Sequence, residues 1–240
     1  MTVFVGTAGW AIGTAAAASF REEGSGLERY ASVFPAVEIN SSFHRPHRPS
    51  TWQKWRDLVP AQFRFSVKMP KTISHERKLV DCEAPLEHFL EQVRELGDRL
   101  DILLLQLPPK LPFEAPTAAS FFRAMRARSA TQVVCEPRHP SWFEEDADGF
   151  LRSEGVARVA ADPARHPRAC TPGGWRGLSY FRLHGSPVMY RSSYADRIDD
   201  LAAQIKAEDD QGRPTWCIFD NTASSAAVTD ALQLQKAVTR

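Results

Sequence analysis

The stretch CEPRHPSWF (135–143) follows the apolar run TQVV and sets Glu136, Arg138, His139 and Trp142 close together. Polar groups inside or at the end of a buried run cost free energy unless they find partners. A carboxylate, a guanidinium, an imidazole and an indole at such a place therefore mark side chains leaving a core to meet something polar. Other apolar runs end the same way: Trp10 follows the first, Glu38 and Asn40 close the second, and Lys68 lies in the third. Gln106, Asp162, Arg182 with His184, and Asp220 with Asn221 stand at the ends of four more. Period-two alternation puts Glu38 with Asn40, Ser66 with Lys68, and Arg182 with His184 on one side of their strands.

If these ends converge, the chemistry they offer is acid–base catalysis on a bound anion. Lys68 and Arg182 would hold an anionic or strongly polar group, the lysine as a compact charge and the arginine as a planar fork. Glu136 would carry the proton, and His184, which titrates near neutrality, would assist. Arg138, His139, Glu38, Asn40, Asp162 and Asn221 would complete the binding surface. Trp10 and Trp142 would stack on a sugar or base, and Tyr190 and Tyr194, in YRSSY, would close over the ligand. Three other readings stay open. Glu38, Lys68, Glu136 and Arg182 would also serve as a salt-bridged structural plug. Glu38, Glu136, Asp162 and His184 would suit a divalent metal in a phosphoesterase or isomerase, although no cofactor is required. A non-catalytic ligand-binding or nucleic-acid-associated module would keep the aromatics and cations without needing the carboxylate. The chain lacks the phosphate-binding loop G-x-x-x-x-G-K-[ST], a G-x-G-x-x-G after a strand, H-E-x-x-H and G-x-S-x-G.

The elements that must position these residues are eight apolar runs: 3–7, 36–40, 63–69, 101–107, 131–136, 156–162, 178–184 and 215–220. Several are continuously apolar, as strands covered on both faces are. Between them lie segments of helical periodicity at 25–34, 49–59, 83–100, 116–128, 144–155, 194–212 and 224–238. The clearest carries Leu86, Phe89, Leu90, Val93 and Leu96 on one face, with Pro85 in its first turn and Gly97 at its stop. Only PARHPRACTPGGWRG, after the sixth run, has no helical pattern. Strict alternation predicts a parallel sheet with right-handed crossovers, and eight units in 240 residues predict a single-domain (β/α)8 TIM barrel, irregular after strand six. Short turns enter the strands and longer ones leave strands two, three and seven, which puts the functional face at the strand C-terminal ends.

The remaining composition narrows the class. Thirty basic and 29 acidic residues nearly cancel, so no overall field draws the chain to nucleic acid or to an anionic membrane. Cys82, Cys135, Cys170 and Cys217 form no C-x-x-C pair and read as free thiols. The opening VFVGTAGWAIGTAAAASF is rich in small residues but has no basic leader and is broken by Gly6, Gly9, Trp10 and Gly13. A cytoplasmic protein with a small polar or anionic ligand is expected. Oligomeric state is not encoded in any pattern of this kind.

Taken in order, GTAGW, VEINSSFHR, WQKWRDLVPAQFRFSVKMPKTISH, LGDRLDILLLQLPP, EPRHPSWF, ARVAAD, YFRLHG and IFDNTASSAA resemble the YecE-like family, domain of unknown function 72. The resemblance covers essentially the entire chain and implies a TIM-barrel fold with its site at the strand ends, but no activity. It differs from the family pattern at Ile12 and the alanines 15–18, where further aromatics are usual. His44 stands where tyrosine is frequent, and Asp220-Asn221 where a paired asparagine is.

Overall fold

A computed structural model of the chain describes residues 3–239. The elements follow in the order β1 (Val3–Thr7), α1 (Gly26–Ala31), β2 (Ala36–Ile39), α2 (Ser41–His44), α3 (Pro49–Asp57), β3 (Arg64–Lys68), α4 (Glu83–Val93), β4 (Leu100–Gln106) and α5 (Ala115–Arg126). They continue with β5 (Gln132–Glu136), α6 (Glu145–Ser153), β6 (Ala157–Arg158), β7 (Ala160–Asp162), β8 (Gly173–Gly174), β9 (Ser179–Leu183), α7 (Ile198–Asp209), β10 (Thr215–Phe219) and α8 (Ala226–Val238). Local signals set several boundaries. Ser25 and Glu28 form a capping box at the start of α1. Gly97, at φ +53°, takes the chain out of the helical turn that follows α4 and into β4.

The result is a mixed α/β fold with parallel ladders, although the ladder is not one eight-stranded sheet. It is divided into a four-stranded sheet, β1-β10-β9-β7, and a six-stranded sheet, β2-β3-β4-β5-β6-β8. The sixth run is where the two part. Beside β6 the edge is taken by the antiparallel β8, with Ala157 opposite Gly174 and Arg158 opposite Gly173, so β9 joins the run only from Ala160 onward. Val159 lies between the two pieces and still donates its N–H to the Cys135 carbonyl of β5 at 2.9 Å.

At the other boundary, β1 and β2 share one isolated parallel bridge, Ala8 to Glu38, with the Gly9 N–H donating to the Glu38 carbonyl at 2.8 Å. Gly6 makes that approach feasible, because a Cβ there would sit 2.3 Å from the Ala36 carbonyl oxygen. The Tyr30 hydroxyl pins the pair, accepting the Thr7 N–H at 2.8 Å and donating to the Ala36 carbonyl at 3.1 Å.

Apolar side chains lie on both faces of the strands. The larger cluster fills the space between strands and helices. The smaller gathers Ala36, Leu104 and Val134 from one sheet with Tyr180, Trp216 and Ile218 from the other. Two residues further along, the face that carries this smaller cluster carries Glu38, Gln106, Glu136, Arg182 and Asp220. The period of two thus stacks a charged layer on an apolar one. Among the described residues, no helix is long and apolar enough to cross a membrane.

Candidate active site

The charged layer is organised by Arg182, which is fully buried. Its Nε and Nη2 donate to the two oxygens of Glu38 at 3.0 and 2.7 Å, a bidentate pair. Nη1 donates to Glu136 Oε2 at 2.5 Å, and Nη2 also reaches Asp220 Oδ2 at 3.0 Å. The guanidinium, expected from the sequence to bind substrate, is thus engaged with three carboxylates at the centre of the cluster.

Glu136 is just as fully engaged. Its Oε1 accepts from Gln106 Nε2 at 3.0 Å, from Arg138 Nε and Nη2 at 3.2 and 3.1 Å, and lies 3.2 Å from His184 Nε2. Burial pushes this carboxyl up, but Arg182, His184 and Arg138 outweigh it and hold it well below the usual carboxylate range. A carboxylate so held is a fixed anion, ill-suited to taking and returning a proton. His184 bridges two carboxylates, with Nδ1 at 3.0 Å from Asp220 and Nε2 facing Glu136. A neutral imidazole has only one donor, so two acceptor partners favour the imidazolium. Burial pulls its pKa down, and the carboxylates outweigh that and raise it. Asp220, opposed by burial, is likewise held low by Arg182 and His184. Below them, the Tyr180 hydroxyl lies 2.8 Å from both Glu38 Oε2 and Ser66 Oγ.

Lys68 differs from all of these. Glu38, Glu136 and Asp220 are matched by Arg182, Arg138 and, in its imidazolium form, His184, which then leaves the lysine as a surplus cation. Among the described residues of the cluster, it alone is a cation with neither an ion pair nor a hydrogen bond at its side-chain nitrogen. Its Nζ instead lies over the Phe43 ring, 4.1 Å from the centroid. Its carbonyl accepts from Ser42 Oγ at 2.7 Å, which fastens the exit of β3 to the turn after β2. The side chain is 9% exposed, and burial, with Arg182 adding to it, lowers its pKa from 10.5 to about 8.

Tyr190, with φ +64°, presents its ring edge-on to His184 at 5.9 Å and is 38% exposed, so it stands at the opening. The space beside it, lined by Glu136, Arg138, Arg165, His184 and Met189, holds only about 10 Å³.

Several residues expected at the site are occupied elsewhere. His139 caps a short turn, its Nδ1 2.9 Å from Ser141 Oγ. Trp142 is buried, donates to the Leu111 carbonyl at 3.1 Å and packs on Phe113. Trp10 is half-buried with its ring edge against Trp55 at 5.2 Å. Asp162 pairs with Arg197 at 2.8 Å and accepts from the Tyr194 hydroxyl at 2.8 Å. Tyr194 is wholly buried and fixes Gly185 through its backbone N–H at 2.9 Å, so it is a clamp rather than a lid. Asn221 donates to Asp230 at 2.7 Å and to the Ser192 carbonyl at 2.9 Å. Asn40 lies at the end of β2, its Oδ1 buried without a hydrogen-bond partner among the described residues.

Of the four residues considered for a divalent ion, Glu38 and Glu136 are taken by arginine and Asp162 lies with Arg197. Among the described residues no group of three or more His, Cys, Asp or Glu side chains could hold a metal. Asp220, Gln106 and Ser66, which the sequence places at or near strand ends without indicating a role, belong to the cluster, and so does Tyr180, which the strand ends do not single out. Alternation marks Ser66 and Tyr180, two residues before Lys68 and Arg182.

Known proteins agree on the fold. A protein of the same fold from Enterococcus faecalis, of the DUF72 family, superposes with a TM-score of 0.83 at 20% identity, covering 99% of this chain and 96% of that one. A DUF72 family protein from Thermotoga maritima gives 0.81 at 23% identity with both chains fully covered. In sequence, UPF0759 protein YecE of Escherichia coli is 33% identical over 142 residues, 57% of this chain and 52% of its own length. The match therefore spans about half of that relative. UPF0759 protein YunF of Bacillus subtilis is 21% identical over 262 residues, covering 97% of this chain and 93% of its own. Residues 4–240 match the model described as "Protein of unknown function DUF72", and the chain belongs to that family.

Proposed function

We propose that the chain is an enzyme that moves a proton on a small polar, anionic or sugar-like substrate at the C-terminal ends of its strands, with Lys68 as the proton carrier. The observation that carries this reading is that, among the described residues, the lysine nitrogen makes no ion pair or hydrogen bond inside a group whose other charges are in contact pairs. A surplus ammonium attracts an anion, and one that titrates to about 8 exchanges its proton at physiological pH. Glu136, Arg182, His184 and Asp220 form the rigid frame that keeps this amine in place. Tyr190 covers the entrance.

The two sheets are read as parts of one barrel. The Ala8 to Glu38 bridge, the single residue between β6 and β7, and the apolar cluster shared by both sheets support that reading. Four unpaired thiols, three of them buried, suit a reducing cytoplasmic setting.

Solvent deuterium incorporation tests the chemistry. The protein is incubated in D2O with a panel of small sugar phosphates, hydroxy acids and keto acids, and exchange at carbon is followed by NMR. Exchange with at least one compound, falling about 10²–10⁴-fold in Lys68→Met, is expected for loss of a general base. Exchange that persists in that variant removes Lys68 from the role, and no exchange across the panel removes the reading.

A further inference from the structure

Beside the cluster, and sharing Phe43 with it, a second concave site lies between the turn after β2, the segment after β3 and the first turns of α4. It encloses about 340 Å³. Ligand pockets run from roughly 300 to 1,000 Å³, so this volume suits a compact molecule and not an extended one. Its apolar lining comes from Phe43 and Phe89, with prolines around them. Arg45, Lys71 and Arg77 supply its charge, and among the described residues that line it none is acidic.

These cations are poorly compensated. Arg45 is exposed and makes no ion pair or side-chain hydrogen bond among the described residues. Arg77 spends one donor on the Asp81 carbonyl, at 3.0 Å, which carries no net charge. Lys71 has Glu76 at 3.0 Å, but both partners are about half exposed, and such a pair is weak enough to redirect. Two guanidinium forks in a cavity also lined by Phe43, Phe89 and prolines match a flat ring that carries one phosphate, the forks taking oxygens in parallel pairs and the ring packing against the apolar lining. Phe43 belongs to both sites, since it lines this cavity and carries the Lys68 ammonium.

We infer that this cavity binds an aromatic or heteroaromatic monophosphate, with a nucleoside monophosphate as the type. Isothermal titration of the full chain with AMP, UMP and phenyl phosphate tests it, with adenosine and inorganic phosphate as the two halves. At least one of the three flat phosphates is expected to bind one to one and at least about tenfold more tightly than either half. The double variant Arg45→Ala/Arg77→Ala should lose at least about tenfold in affinity with its thermal midpoint unchanged, since both side chains are exposed. Arg123→Ala removes an exposed charge on α5 and should leave binding within about twofold. The inference is overturned if none of the three binds at millimolar concentration, or if inorganic phosphate binds as tightly as the best of them. Equal losses in the double variant and in Arg123→Ala also overturn it.

Discussion

Replacing Lys68 by methionine should make the protein more stable, which is the reverse of what a structural salt bridge would do. In the folded chain the ammonium makes no ion pair among the described residues, and burial lowers its pKa from 10.5 to about 8. At about 1.4 kcal/mol per unit, keeping it protonated costs about 3 kcal/mol below pH 8. Methionine has a similar length, carries no charge and suits the place over Phe43. At pH 7 the variant should gain up to about 3 kcal/mol, and for a chain of this size that raises the thermal midpoint by roughly 6–12 °C. The sign is checked by pH. The folded pKa lies below the unfolded one, so the unfolded chain binds more protons between them and the wild type recovers stability as pH rises from 8 to 10.5. The advantage of the variant should therefore shrink across that window. Melts of both proteins at pH 7 and near pH 9.5, read by circular dichroism, measure it. A variant less stable than wild type at pH 7, or an advantage that does not change with pH, would mean that Lys68 is a needed counterion and that its surplus charge is an illusion. A residue kept at a cost to stability is what functional sites commonly show.

Glu136→Gln should behave in the opposite sense, losing about 3–5 kcal/mol in urea denaturation, because Arg182, Arg138 and His184 would be left facing a neutral amide; little change would show that the cluster tolerates an unpaired guanidinium. In the Lys68→Met background, stability should fall on both sides of roughly pH 5–6.5. On the acid side the lowered Glu136 and Asp220 become protonated, and on the alkaline side the raised His184 loses its proton. A flat profile from pH 4 to 8 would contradict these assignments. Gly6→Ala places a Cβ 2.3 Å from a backbone oxygen and 3.3 Å from Ile218 Cδ1, and should cost about 3 kcal/mol, read as a lowered thermal midpoint. A stability equal to wild type would mean that β1 and β2 separate freely.

The sequence placed Glu38, Lys68, Glu136, Arg182 and His184 together because period-two alternation and strand ends are local properties. What those residues do to one another was not local. Arg182 reads as a ligand-binding arginine until its three carboxylates, from β2, β5 and the turn after β10, are seen to surround it. Asp220 reads as one polar strand end among several, with no role of its own, and Tyr180 as core, because nothing nearby in the chain announces their partners. Trp142, Tyr194 and His139 look like recognition residues by type, yet each is consumed by a hydrogen bond within its own loop or to a neighbouring loop or strand end. The split of the ladder was hidden for a similar reason. Whether Gly173 and Gly174 lie beside β6 depends on a tertiary contact that no window of the sequence contains.

The Glu38–Arg182 pair joins residues separated by 144 positions. On a ribosome adding roughly 5–20 residues each second, the carboxylate emerges about 7–29 s before its guanidinium. Throughout that interval Glu38 lacks its guanidinium partner and stays hydrated. The interior can dry out only when the last quarter of the polypeptide arrives. Assembly of the charged layer is consequently a late event, and a truncated product ending before β9 would hold Glu38 and Glu136 beside Lys68 and Arg138 but without the arginine that joins the two carboxylates.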